Sequence, residues 1–144
     1  MDRQIAEALE AVKAAYFDPH GEACDYAALA SSAERERLAA CLAGLDAYDV
    51  KRAALPAQTA FWINVFNAGV LRDAAQMRLA ARAQDVQAFF ERPSLRIGAY
   101  RYSLDDIEHG LLRGNTRGSG GDDGRRLEVH GQWQRECPFH RLEL

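Results

Sequence analysis

Apolar residues return along the first part of the chain at intervals of three and four. Ile5, Leu9, Val12 and Tyr16 form one stripe between residues 4 and 16, which predicts an amphipathic helix. Pro19 and Gly21 in "FDPHGEACD" break it, "YAALA" has room for one short turn, and Ser31 and Ser32 offer an N-cap to the next helix. Leu38, Cys41, Leu42 and Leu45 form the inward face of that helix, so Cys41 reads as a small buried hydrophobe. Pro56 suits the first turn of a third helix, where its missing amide hydrogen has no partner to lose. From Ala57 to Leu71 apolar residues surround the whole circumference, the pattern of a central helix buried on every side. Helical spacing continues to Phe90, with Met77, Leu79, Val86, Phe89 and Phe90 as core candidates, and Pro93 ends it.

The period then changes. "LRIGAYRYS" is short, rich in aromatic and β-branched residues and divided by Gly98, which predicts a strand pair or an extended segment. "SLDDIEHGLLRGN" predicts a capped helix over 104–113. Ser103 can accept from the amide of Asp106 while Asp106 reaches back to the amide of Ser103. Acidic residues follow at the start, Arg113 stands at the end, and Gly114 suits the closing position. The glycine-rich stretch over about 115–126 is expected to be a mobile loop, and "LEVHGQW" one strand. The pattern as a whole predicts a single domain over 1–144, α+β and predominantly α, with no internal repeat.

Composition narrows the classes. At 144 residues, 48% hydrophobic and 27% charged with a net charge of −3, the chain is globular in character. Its sixteen arginines and two lysines are interleaved with acids, so no nucleic-acid footprint is expected. The longest apolar run, Ala60 to Leu71, is too short and too polar for a membrane span. "MDRQIAEALEAVKAAY" lacks the apolar core of a signal peptide, so a cytoplasmic protein is expected. Cys24, Cys41 and Cys137 are odd in number and without paired spacing, which reads as reduced thiols.

Two sets of polar residues raise a chemical question. Asn64 and Asn67 stand three apart in "FWINVFNAG", so both can reach one polar site from the central helix. A buried amide without partners costs about 1 to 3 kcal/mol, so each needs a carbonyl, a loop, a ligand or a water. Asp105, His109 and Arg113 are spaced four and four along one edge of the capped helix. A carboxylate beside an imidazole can orient a general base, but such a row is equally a solvated face of weak ion pairs. "CPFH" offers Cys137 and His140 without a second ligand pair, so no metal is expected there, and "GSGGDDG" lacks the lysine and helix of a phosphate loop. No cofactor motif is found.

Taken in order, "CDYAALA", "AFWINVFNAGVLR" and "IGAYRYSLDDIEHGLLRGN" resemble the bacterial and plant family called domain of unknown function 547, from about Gly21 to Asn115. Ala99 and Tyr100 stand where that family often has a second glycine. The family continues into an Arg-Ile-His-Phe-Ala-Leu-like strand and a Cys-Gly-Ala-x-Ser-Cys-Pro-like block that are not found here, so the chain reads as cut short, and the family cysteines are not carried to Cys137. The resemblance implies the front part of a papain-like or transglutaminase-like arrangement. It also brings Asn64, Asn67, Asp105, Glu108, His109 and Arg113 under two family motifs, which favours one shared polar site between the central and capped helices.

Two functions follow from this. In the first the chain is a non-catalytic binding or scaffold module, using Asn64, Asn67, Asp105 and Arg113 to recognise a peptide, a protein or a small molecule. In the second it is the front half of a thiol-dependent hydrolase or acyl-transfer enzyme, with His109 and Glu108 as its catalytic pair and His109 as base or orienter.

Overall fold

The computed structural model describes residues 2–50, 54–77 and 83–112, apart from the side chains of residues 55 and 83–85. Arg113, the glycine-rich stretch, the strand expected in "LEVHGQW" and the "CPFH" segment all lie outside the described residues.

Helix α1 spans Asp2–Tyr16 and buries Ile5 and Val12 of the predicted stripe together with Ala8, while Leu9 and Tyr16 are half-buried. The chain then reverses through a loop closed by a bridge between Phe17 and Cys24. Asp18 organises this loop, its carboxylate accepting from the amides of His20, Glu22 and Ala23, while Gly21 supplies a positive φ of 73°. Those amides, Glu22 foremost, hold the Asp18 carboxyl below its ordinary range. A single turn, α2 (Tyr26–Leu29), is capped by Asp25. Helix α3 (Ala33–Ala43) follows with Ser32 as its cap, Oγ accepting from the amide of Arg35, and a 3₁₀ turn over Gly44–Ala47 extends it.

Helix α4, Leu55–Met77, is the longest element and packs on both α1 and α3. Phe61, Trp62, Val65 and Ala68 are buried along it, as is Gly69. It is not buried on every side. Ala57, Ala60, Ile63 and Asn67 are exposed, Ile63 by 44%. Small and apolar residues on this open face mimic a core face when only hydrophobicity is read. Met77 and Val86 correct the expected core for the same reason, standing 41% and 38% exposed, whereas Phe89 is buried.

Helix α5 (Ala83–Glu91) stops before Pro93, and the strand pair follows as expected. Strands β1 (Leu95–Ile97) and β2 (Tyr100–Tyr102) pair antiparallel through a two-residue turn whose first position, Gly98, has φ of 58°. The hairpin packs against the 3₁₀ turn, with the Gly98 amide donating to the Leu45 carbonyl at 2.9 Å. Among the described residues the fold is therefore mainly helical with one small antiparallel sheet. No helix among them is long and apolar enough to cross a membrane.

The capping box forms as its sequence requires. The Ser103 amide donates to the Asp106 carboxylate at 2.8 Å, and the Asp106 amide to Ser103 Oγ at 3.0 Å. The helix it opens is a π-helix, Asp106–Leu112, rather than the α-helix expected. Over so few residues the apolar spacing of Leu104, Ile107 and Leu111 suits either pitch, and all three are fully buried. Ser103→Ala is expected to cost about 1 kcal/mol of stability, read by chemical denaturation. A loss below a few tenths would mean that the box does not hold this helix.

Candidate functional site

The two amides of α4 turn toward α1. Gly69 is the point where α4 meets the segment leading into the π-helix: a Cβ there would lie 3.0 Å from a Leu104 methyl. Asn64 and Asn67 stand about 140° and about 160° round the helix from Gly69, on the other side of α4. There they line a groove between α1 and α4, opposite Ala6, Leu9, Glu10 and Lys13. Phe17 and Tyr26, placed by the Asp18 loop and by α2, line it as well, with Phe66, Val70 and Leu71 from α4. The groove encloses about 370 Å³, within the range of small-molecule sites.

Its chemistry is split. Leu9, Phe17, Phe66, Val70 and Leu71 are half-buried or buried, whereas Glu10, Lys13, Tyr26 and Asn67 are exposed at its rim. Asn64 is half-buried, and its Nδ2 donates to Asp2 Oδ1 over 3.4 Å, a long contact. Lys13 Nζ lies 3.9 Å from the Glu10 carboxylate, so the two rim charges oppose each other. A cavity of about 760 Å³ adjoins, lined by Ala27, Ala74, Ala75, Val86, Phe89 and Phe90 and sharing Tyr26 and Val70 with the first.

The polar residues of the capped segment form a separate group. Asp105 and His109 approach to 3.7 Å, Nε2 to Oδ1, with side chains 10% and 21% exposed. That separation is an ion-pair distance and too long for an orienting hydrogen bond. Glu108 is half-buried. The helices pack together as expected, but the amides leave α4 on the side facing α1 and no described residue of the π-helix lines their groove, while Arg113, the third partner expected beside Glu108 and His109, lies outside the described residues. The helical register explains this, because residues 64 and 67 cannot share a face with 62 and 69.

Sequence reading also passed over several contributors. Lys13 and Glu10 sit on the polar side of α1, and nothing local announces that α4 will lie beside them. Phe17 and Tyr26 are brought in by a loop. Arg72 and Asp73 form a buried node: Arg72 Nε and Nη2 donate to Asp73 at 2.6 and 2.9 Å, and Nη2 also donates to the Ser94 carbonyl at 3.2 Å. Arg92 reaches the same carboxylate at 3.5 Å. The signal available was an adjacent Arg-Asp pair within a long apolar helix.

Burial, and secondarily the neighbouring Asp25 carboxylate, pushes the Cys24 thiol up, away from a nucleophile's range. Among the described residues no cluster of three histidine, cysteine or acidic side chains is placed to hold a metal ion.

A family model described as a protein of unknown function, DUF547, matches residues 50–137, from the segment before α4 through the hairpin and capped helix and beyond. The chain belongs to the DUF547 family. The match includes Asn64, Asn67 and the Asp105–His109 segment, while α1 and the Asp18 loop, which complete the groove, precede it. No curated protein and no solved structure matches the chain.

Proposed function

We propose that this DUF547 chain is a binding module whose ligand site is the groove between α1 and α4, with Asn64 and Asn67 as its hydrogen-bonding groups and no bond-making step. One observation carries the reading: two carboxamides one helical turn apart open on a cavity with apolar walls instead of being spent on the core. A purely structural pair would be enclosed and saturated, since burying an amide without partners is costly. Asn67 is exposed, and the contact of Asn64 with Asp2 is long. A hydrolase would instead need an activated nucleophile beside His109. Cys24, with its raised thiol, does not answer that description.

The test is a ¹⁵N–¹H spectrum of the full chain against a panel of neutral amphiphilic fragments. Shifts should cluster on α1, α4 and the Phe17–Tyr26 segment. Asn67→Ala should weaken the best fragment about tenfold, the worth of roughly one hydrogen bond, while changing stability by less than about 0.5 kcal/mol. Fragments that shift only residues outside the groove, or an Asn67→Ala loss confined to stability, would overturn the reading.

A further inference from the structure

We infer that the groove takes a neutral peptide segment bearing apolar side chains, its backbone amide read by Asn64 and Asn67 and its side chains continuing past Tyr26 and Val70 into the adjoining cavity. The inference rests on the binding reading and adds the ligand's chemistry. Charge decides the first part. Among the described residues, Lys13 faces Glu10 and Asp2 adds a further carboxylate at Asn64, so the cation lining the groove is outnumbered there and gives a carboxylate or phosphate ligand no net attraction.

Hydrogen-bond inventory decides the second. A carboxamide presents donors and an acceptor together, and two of them at i and i+3 can meet the N–H and C=O of a peptide group without any charge. A hydrocarbon leaves that capacity unused, and an alcohol gathers its donor and acceptor on one oxygen, whereas a peptide group sets them on separate atoms. The third part is shape. The second cavity is lined by alanines at Ala27, Ala74 and Ala75 between Tyr26, Val86 and the Phe89–Phe90 pair, so the described residues give it apolar walls. Because Tyr26 and Val70 border both cavities, one extended ligand can place an amide in the first and an aliphatic side chain in the second.

The experiment titrates the full ¹⁵N-labelled chain with N-acetyl-leucyl-leucinamide, and in parallel with 4-methylpentanol and 4-methylpentanoate, which keep the apolar branch but replace the amide. The diamide is expected to bind at least about tenfold more tightly than either, shifting the Asn64 and Asn67 side-chain NH₂ signals together with the Ala74 and Ala75 amides. Asn64→Ala and Asn67→Ala should each weaken the diamide by more than they weaken the alcohol, so that the preference shrinks. If the alcohol binds in the groove as tightly as the diamide, the peptide inference fails and the binding reading stands. A preference for the carboxylate overturns the inference through its charge argument. Should none of the three probes shift a groove residue, both fall.

Discussion

Asp73→Ala is expected to lower the unfolding free energy by about 3 kcal/mol, among the largest effects of any polar substitution in the described chain. Asp73 is 3% exposed and accepts from two nitrogens of Arg72, whose own side chain is 16% exposed. Removing the carboxylate leaves a guanidinium mostly out of water with, among the described residues, the Ser94 carbonyl to bond. The cost is chiefly that abandoned charge rather than the worth of the pair, because desolvation already offsets much of the Coulombic gain. Arg92 adds little, being 48% exposed and 3.5 Å away. Asp73→Asn keeps the shape and one acceptor, so it should lose less than the alanine variant. Urea denaturation reads both, and added salt should change the difference little because the node is buried. A loss under 1 kcal/mol for Asp73→Ala would mean that Arg72 swings to solvent and that the node does not tie α4 to the start of β1.

Local rules explain why much of this fold was readable in advance. The stripe on α1, the Ser32 cap, the stop before Pro93, the glycine-turned hairpin and the Ser103–Asp106 box are each decided by residues within one or two turns of each other. The family motif was legible in the same way, as two compact blocks. What escaped depends on residues far apart. Asn64 meets Asp2 across 62 positions of sequence, and the groove needs α1, a loop and α4 at once. Ile63, Met77 and Val86 were misread because hydrophobicity reports a tendency to be covered and not whether a neighbour is there to cover it. The π pitch of the capped helix escaped because one and a half turns carry too few apolar positions to separate it from an α-helix.

Gly69→Leu is the second large effect expected, a loss of about 3 kcal/mol. Gly69 lies where α4 packs against Leu95 of the hairpin and Leu104 at the opening of the capped helix. A Cβ at this position would stand 3.0 Å from a Leu104 methyl and 3.2 Å from a Leu95 methyl. Both leucines are buried, Leu104 completely, so their side chains have little room to retreat. Alanine tests the balance. It removes the helix penalty of glycine, about 1 kcal/mol, and introduces one tight contact against the ends of two side chains, so Gly69→Ala should fall near neutrality. Leucine adds three more carbons to the same gap and cannot be absorbed that way. The cause can be isolated by pairing it with Leu104→Ala, which alone should cost 2 to 5 kcal/mol by leaving a cavity. In the double variant the new side chain fills the space Leu104 vacates, so the combined loss should be smaller than the sum by at least about 1 kcal/mol. Strict additivity would place the strain elsewhere than at the Gly69–Leu104 contact. A tolerated Gly69→Leu with Leu104 in place would mean that the hairpin and capped helix shift on α4 at little cost. The close packing of α4 against this segment, on the side away from the asparagine groove, would then not be what holds that groove's geometry.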